Sequence, residues 1–429
     1  MRVHSTKTVA VILFLFLFFA FPAWAFNVSD MIDAIDQAGT RSRDISRKIW
    51  EWKEPGQKEF RSAELLKAEL KKLGYKVTGD LKVPSDLVPG GVAKTAFKAE
   101  MKGKGPGPTV TIMVEYDALA NGHACGHNLI AASGLLAAAG LAEVMKHLPG
   151  RVLVIGTPDE ERGSLGGGKV ALLEGGHFEG SDVVFITHPA DRWSLDQRLL
   201  AMKRALFTFK GKSAHAAAAP HKGINALRGV LLTFNCVDSL REHLRQDVRI
   251  HGIVTKGGDR VNVVPAEAQA EFACRALDTA AMEEAYGKVV NCARVAELGS
   301  GAKLEFKEPR VSLKAPILVE PLVKMVWNNL VSVGINANRL KDFDELASSD
   351  LGVVGYAYPT VDVWFKIAPE GTALHSDALR EAAISDDAWE ATVQAGMAVA
   401  GAALELLTDP VKLNAVKASF REMKAREGK

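Results

Sequence analysis

The chain has 429 residues, of which 48% are hydrophobic and 24% are charged, so it is long enough for two or three domains with sizeable cores. Its formal net charge is +2, and it contains no long basic run. Because proteins that bind nucleic acids carry a basic patch or stripe, this balance argues against a nucleic-acid partner.

Residues 1–25 have the pattern of a secretory signal peptide. Arg2 and Lys7 precede an apolar run, and Ala23 and Ala25 stand at the −3 and −1 positions of a cleavage site. The run is shorter than the about 20 residues that span a bilayer, so we predict cleavage rather than an uncleaved anchor. The mature chain would begin near Phe26, free of the membrane, in the periplasm or as a secreted protein.

Export makes the four cysteines candidates for disulfide bonds. Cys125 lies in a motif considered below, which leaves the odd set Cys236, Cys274 and Cys292. Free cysteines commonly serve as small buried hydrophobic residues, and we expect this of the three. The sequence does not decide whether two of these three cysteines form a disulfide.

The first part of the chain predicts an α/β fold. Apolar residues spaced by three and four predict helices between about Asp30 and Leu73, and Gly74 ends the second one. The β-branched runs "TVTIMVEYDAL", "RVLVIGTP" and "DVVFITHPA" predict strands, with a helix between the first two. Continuous apolar strands separated by helices indicate a largely parallel sheet flanked by helices.

The middle of the chain has a different order of elements. A strand, a helix, two strands, a helix and a strand follow one another, which is the order of a ferredoxin-like α+β unit. The α/β pattern then resumes with a helix in "PLVKMVWNNLVSVG" and a strand in "TVDVWFKIAP". We therefore predict an inserted domain at 200–312 between two parts of one α/β domain, at 26–199 and 313–429.

Reactive side chains follow four of the strand-like runs. They are Glu115, Asp117, Cys125 and His127 after the first run, Glu160 and Glu161 after the second, His188 in the third and His375 after the last. Because sites in open α/β sheets lie beyond the carboxyl ends of the strands, we expect these groups to meet at one edge.

Each of these groups has an ordinary explanation when taken alone. "HACGH" could hold a buried cysteine beside a structural histidine, and Glu160–Glu161 could be a solvated turn. Together, however, they suffice for two divalent metal ions, with one carboxylate left to act as a base. Sulfur, nitrogen and oxygen ligands in one set suit zinc, cobalt or manganese better than calcium.

The glycine-rich stretch "GSLGGGK" at 163–169 has the spacing of a phosphate-binding loop. Val170 nevertheless stands where Ser or Thr should bind magnesium, and acidic residues precede the glycines. We therefore reject nucleotide binding.

At the reactive residues that follow the strands, and at motifs in the insert, the chain resembles the dinuclear metal amidohydrolases and peptidases of the aminoacylase–carboxypeptidase superfamily. The resemblance is to the branch with a Cys-Gly-His motif, which includes hippurate, auxin-conjugate and p-aminobenzoyl-glutamate hydrolases. It rests on "EYDAL…GHACGHN", "GTPDEERGSLGGGKV", "AHAAAAPHKGINAL" and "RVNVVPAEA" and covers essentially the whole mature chain. These motifs are most similar to p-aminobenzoyl-glutamate hydrolase and β-alanyl-lysine dipeptidase.

The resemblance implies a role for each residue of the α/β site. The ligands of two divalent metal ions would be Cys125, His127, Glu161, His188 and His375. Glu160 would be the general base, which takes a proton from a metal-bridging water and then protonates the leaving amine. Asp117 would orient a histidine ligand.

The resemblance also implies that the insert is a lid through which two subunits form a homodimer. His215 would stabilise the oxyanion, and in related enzymes it comes from the partner subunit. Asn262 and Arg275 would hold the carbonyl or carboxylate of a small-molecule substrate.

We therefore predict a metal-dependent amidohydrolase that acts on N-acyl or aryl-acyl amino acids or dipeptides, with p-aminobenzoyl-glutamate-like conjugates as the nearest candidates. The alternative is an exported, non-catalytic module that binds amino-acid conjugates. The pair Glu160–Glu161 argues against it, because binding alone needs no base beside a metal. Val353 and Gly355 replace polar residues of the family near the expected substrate end, so the substrate stays open.

Overall fold

The computed structural model describes residues 28–161, 167–336, 342–343 and 346–427. The predicted signal peptide and most of the glycine-rich stretch at 163–169 lie outside the described residues. Two β-sheets, each with its own helices and apolar core, organise the described part.

The helices are α1 (Val28–Trp52), α2 (Phe60–Lys72), α3 (His127–Met145), α4 (Gly168–Glu174), α5 (Ala226–Leu240), α6 (Thr279–Ser300), α7 (Glu320–Ser332), α8 (Leu351–Ala357), α9 (Asp377–Ala382), α10 (Asp386–Thr408) and α11 (Pro410–Arg426). The strands are β1 (Lys76–Lys82), β2 (Val92–Lys102), β3 (Thr109–Val114), β4 (Arg151–Gly156), β5 (Val183–Ala190), β6 (Ala201–Lys210), β7 (Arg249–Lys256), β8 (Glu267–Ala276), β9 (Lys303–Phe306) and β10 (Thr360–Lys366).

The larger sheet has the strand order β1-β2-β4-β3-β5-β10. Strands β4, β3, β5 and β10 are parallel, whereas β1 and β2 are antiparallel to their neighbours at one edge. Strands β3 and β5 are buried along their whole length because helices cover both faces of the sheet. The predicted α/β fold is thus confirmed, while β1 and β2, which interleave exposed polar residues, escaped prediction.

Helix α3 is the central helix on one face of this sheet and begins at the site. It packs between α1 and α10, and nearly all of its residues are buried. A Cβ atom at Gly134 would lie 2.2 Å from Cγ1 of Val114, so glycine permits this close packing on β3. By length and composition α3 and α10 could each cross a membrane, but most of each helix is packed inside the protein.

The smaller sheet has the order β7-β8-β6-β9 and is antiparallel throughout. Helices α5 and α6 pack on one face, and β8 alternates buried and half-buried residues accordingly. The predicted β-α-β-β-α-β order is therefore confirmed. The domain boundaries at 199/200 and 312/313 stay predictions.

The expectation of three free cysteines outside the site motif was wrong for two of them. Cys236 of α5 and Cys292 of α6 form a disulfide with a Cα–Cα distance of 5.4 Å, whereas Cys125 and Cys274 are free and buried. The two cysteines are 56 positions apart, and the side-by-side packing of α5 and α6 brings them together.

Val353 and Gly355 lie in α8 and are both buried. A Cβ atom at Gly355 would stand 2.6 Å from Cβ of Pro316, so the chain there has no room for a larger residue. Both positions therefore face the interior of the protein, where α8 packs against its neighbours.

Candidate active site

The side chains predicted to converge do so beyond the carboxyl ends of the parallel strands. Glu115 follows β3, Glu160 follows β4, and His188 lies near the end of β5. His375 follows β10 and adopts a left-handed backbone conformation, with φ at 64°. Its N–H donates to the carbonyl of Ala124, which attaches this loop to the motif that contains Cys125.

His127 is the first residue of α3, and a carboxylate fixes its ring. Nδ1 lies 2.9 Å from Oδ1 of Asp117, whose other oxygen accepts the backbone N–H of Glu161 at 2.9 Å. Nε2 then faces the carboxylates of Glu115 at 3.4 Å and Glu161 at 3.8 Å. With Nδ1 donating to Asp117, Nε2 is the ring nitrogen that remains for a metal ion.

His188 has the same arrangement on the neighbouring strand. Its Nδ1 lies 2.9 Å from Oδ2 of Asp362 in β10, and its Nε2 lies 3.2 Å from Oε2 of Glu115. The ring also stacks on Trp364 with centroids 4.8 Å apart. Sequence reasoning assigned no role to Asp362, although an aspartate in the apolar strand "TVDVWFK" is a signal that could have revealed it.

Two groups of side chains have ligand atoms that all lie within 4.8 Å of one another. One group is Cys125, His127 and Glu161, and the other is Glu115, His127 and His188. Nε2 of His375 lies 3.7 Å from Oε2 of Glu161, which connects the last predicted ligand to the first group. The structure thus brings all five predicted ligands together and adds Glu115, which the sequence placed nearby without a role.

This cluster contains more carboxyl groups than lysine or arginine side chains that could neutralise them. Its carboxyl groups are those of Glu115, Asp117, Glu160, Glu161, Asp350 and Asp362. Among the described residues, Lys169 is the one lysine or arginine that pairs with any of them. Because uncompensated buried carboxylates are costly, divalent cations fit this site.

The pKa values of the site residues also reflect burial and the excess of carboxyl groups over cations. Burial raises the pKa of the Cys125 thiol, and burial together with Glu160 raises the pKa of Glu161 to about 8. Burial alone would lower the pKa of His127, but Asp117 and other anionic neighbours raise it well above its usual value. Nε2 of His127 is fully buried and has no hydrogen-bond partner among the described residues, which is the state expected of a metal ligand.

Lys169 in α4 is fully buried, and its ammonium joins two carboxylates. Nζ lies 2.5 Å from Oε1 of Glu115 and 2.5 Å from Oδ1 of Asp350. Both contacts raise its pKa well above the usual value, against the effect of burial, so it stays charged. From the sequence, this lysine was considered only as part of the rejected phosphate-loop pattern, and its place in the site was not predicted.

The three predicted residues of the insert lie on its loops and sheet. His215 is exposed, and its Nδ1 accepts the N–H groups of Ala217 at 3.3 Å and Ala218 at 3.1 Å, so Nε2 carries the ring proton. The carbonyl of Asn262 accepts the N–H of Ala216 at 3.0 Å, which joins the two loops. In the described part of the chain, neither ring nor amide side chain contacts the charged cluster.

Arg275 of β8 differs from the other two because it reaches the α/β part of the chain. Its Nη1 donates to Oγ of Ser348 at 3.1 Å. The guanidinium is half-buried, and burial lowers its pKa. The structure thus places Arg275 where the insert contacts the α/β part of the chain.

Known proteins with similar sequences support this assignment of the site. Residues 201–298 match the family described as a peptidase dimerisation domain. Xaa-Arg dipeptidase of Mus musculus is 30% identical over 91% of this chain and 91% of its own length. One of the subunits of p-aminobenzoyl-glutamate hydrolase from Escherichia coli K12 is 33% identical over 64% of this chain and 58% of its length.

Solved structures share the fold. A putative aminohydrolase from methicillin-resistant Staphylococcus aureus matches 89% of this chain with a TM-score of 0.72 and 20% identity. A Bacillus subtilis protein, described as a dinuclear metal binding peptidase from the M20 family, matches 86% with a TM-score of 0.65 and 20% identity. Together with the relatives that match along nearly the whole chain, they show that this protein is an enzyme of the M20 family of metallopeptidases and amidohydrolases.

Proposed function

We propose that this protein hydrolyses the amide bond of dipeptides or of N-acyl or aryl-acyl amino acids, with Glu160 as general base. The placement of Glu160 carries the proposal. Its Oε1 accepts a hydrogen bond from Ser349 at 2.8 Å, and its Oε2 lies 4.0 Å from Nε2 of His127. The side chain is 15% exposed whereas that of Glu115 is fully buried, so a substrate can reach Glu160.

Two divalent ions, zinc, manganese or cobalt, would be held by Cys125, His127, Glu161, His188 and His375. Bound there, they would polarise the amide carbonyl as Lewis acids and make a water molecule acidic enough to attack it. Asp117 and Asp362 would keep the two buried histidine rings oriented for ligation. Burial lowers the pKa of His375, so its neutral ring is available as a ligand at neutral pH.

In the proposed reaction Glu160 moves one proton. It accepts the proton of the attacking water while the water oxygen bonds to the carbonyl carbon. When the C–N bond breaks, Glu160 gives this proton to the leaving nitrogen, and the products are a carboxylic acid and an amine. The N–H at Nε2 of His215 would stabilise the oxyanion, and Asn262 and Arg275 would hold the carbonyl or carboxylate of the substrate.

The names of the relatives support this substrate class. The full-length mouse and human relatives are named Xaa-Arg dipeptidases, and the Escherichia coli relative is named as part of a p-aminobenzoyl-glutamate hydrolase. These names share an amide bond to an amino acid and differ in the charge of that residue. Because the relatives are named as enzymes, they set aside the alternative of a non-catalytic binding module.

A panel of substrates tests the proposal directly. We expect the mature protein to hydrolyse at least one of an Xaa-Arg dipeptide, a β-alanyl dipeptide, p-aminobenzoyl-glutamate, hippurate and an N-acetyl amino acid. Chelation should abolish turnover, and manganese, cobalt or zinc should restore it, as measured by release of the free amino acid. No turnover of any panel member with any metal would contradict the proposal.

The variant Glu160→Gln tests the assignment of the base. We expect kcat to fall by about 10²- to 10⁴-fold, because the amide cannot accept a proton, while the metal content stays that of the wild type. Glu143→Gln, at the half-buried position of α3 where the side chain pairs with Lys146, is the matched control and should keep full activity. Undiminished turnover by Glu160→Gln would rule out this base.

Metal affinity should rise with pH between about 6 and 8. Without metal, the raised pKa values leave Cys125, His127, His188 and Glu161 protonated at pH 7, and each must lose its proton before it can bind a cation. Calorimetric titration with zinc, in two buffers of different ionisation enthalpy, should therefore report release of about two or more protons per site. An affinity independent of pH would contradict these protonation states.

The proposed homodimer would place His215 of one subunit at the site of the other. Glu160→Gln and His215→Ala should then each be nearly inactive alone. Mixing and reassociating them should restore about one quarter of wild-type activity, because half of the dimers are mixed and each has one intact site. No recovery after the dimers have been dissociated into monomers and re-formed, two states that light scattering distinguishes, would show that His215 does not act across the interface.

We also propose that the protein is exported, in agreement with its Cys236–Cys292 disulfide, because disulfides persist in oxidising compartments. The intact mass of the exported protein should correspond to a chain that begins near Phe26. Alkylation after denaturation without reduction should label Cys125 and Cys274 and spare the bridged pair. Retention of Met1 would contradict cleavage.

A further inference from the structure

Three consecutive residues, Ser348, Ser349 and Asp350, lead from a contact with the insert to the charged cluster, of which Asp350 is a member. Ser348 accepts from Arg275 of β8, Ser349 donates to Glu160, and Asp350 pairs with Lys169. None of the three entered the set of site residues predicted from the sequence. Their side chains nevertheless connect the insert, the proposed base and the buried lysine of the site.

The hydrogen bond of Ser349 has a defined direction. Its Oγ lies 2.8 Å from Oε1 of Glu160 and 3.2 Å from the backbone nitrogen of Leu351. The N–H of Leu351 can only donate, so the hydroxyl accepts from it and directs its own proton to the carboxylate. One oxygen of Glu160 is thereby held, and the other, Oε2, faces His127.

Asp350 attaches this segment to the interior of the site. It is fully buried, and Oδ2 accepts the backbone N–H of Lys169 at 3.1 Å while Oδ1 contacts Nζ at 2.5 Å. A Cβ atom at Gly167 would lie 2.3 Å from Oδ2, so the close approach requires glycine there. Since Nζ of Lys169 also contacts Glu115, the position of Ser349 is tied to the carboxylate that faces His127 and His188.

We propose that Ser349 is a positioning residue for Glu160, and that Asp350 and Lys169 hold Ser349 in register with the metal-ligand cluster. This inference rests on the proposed function, because it takes Glu160 as the base. A glutamate has three rotatable side-chain bonds, and the catalytic step needs one oxygen aimed at the attacking water. The Ser349 hydroxyl selects the rotamer in which Oε2 is that oxygen.

The variants Ser349→Ala and Ser349→Thr test this role. We expect Ser349→Ala to lower kcat by about 10- to 100-fold, with KM and metal content unchanged, because a hydrogen bond to a charged group is lost. Ser349→Thr keeps the hydroxyl and should restore kcat to within about 3-fold of the wild type. Ser239→Ala, whose hydroxyl bonds only a backbone carbonyl of α5 among the described residues, is the control and should behave as the wild type.

Crystal structures of the wild type, Ser349→Ala and Ser349→Thr give a readout that needs no turnover. The Glu160 carboxylate should occupy the same position in the wild type and in Ser349→Thr, and it should move away from that position in Ser349→Ala. Unchanged kcat or an unmoved Glu160 in Ser349→Ala would overturn the proposal, as would loss of metal or a rise confined to KM. If the wild type hydrolyses no panel substrate, the proposed function fails, and the Glu160 conformers still decide whether Ser349 positions it.

Discussion

The structure depends on a concentration of buried carboxyl groups at the carboxyl ends of the parallel strands. Glu115, Asp117 and Asp362 are all buried, and Glu160 and Glu161 stand beside them. Such a cluster repels itself in a medium of low dielectric constant, and the ammonium of Lys169 compensates only part of the charge. These carboxylates raise the pKa values of His127 and His188, and burial together with neighbouring carboxylates raises the pKa of Glu161. Bound divalent cations would offset the negative charge.

The parallel sheet holds the charged side chains of the site in a defined geometry. Each buried histidine is oriented by a carboxylate, His127 by Asp117 and His188 by Asp362 of the adjacent strand. Strand β10 pairs with β5 in a register that sets Trp364 opposite His188, and the ring stacks on that indole. The ligand side chains are therefore held by the rigid part of the fold, as a preorganised site requires.

The insert contributes less to the cluster but is connected to it. Arg275 contacts Ser348, and the two following residues contact Glu160 and Lys169. His215 and Asn262 lie on loops of the insert, within the residues that match a peptidase dimerisation domain, and neither side chain contacts the cluster among the described residues.

The sequence by itself determined the fold class, the β-α-β-β-α-β order of the insert and the convergence of Cys125, His127, Glu161, His188 and His375, because apolar periodicity and strand-end motifs are local patterns. Only the tertiary structure decided the contacts between distant positions. Lys169 and Asp350 are 181 positions apart, His188 and Asp362 are 174 apart, and the bridged cysteines come from different helices. No local pattern encodes such pairs, since packing of the elements creates them.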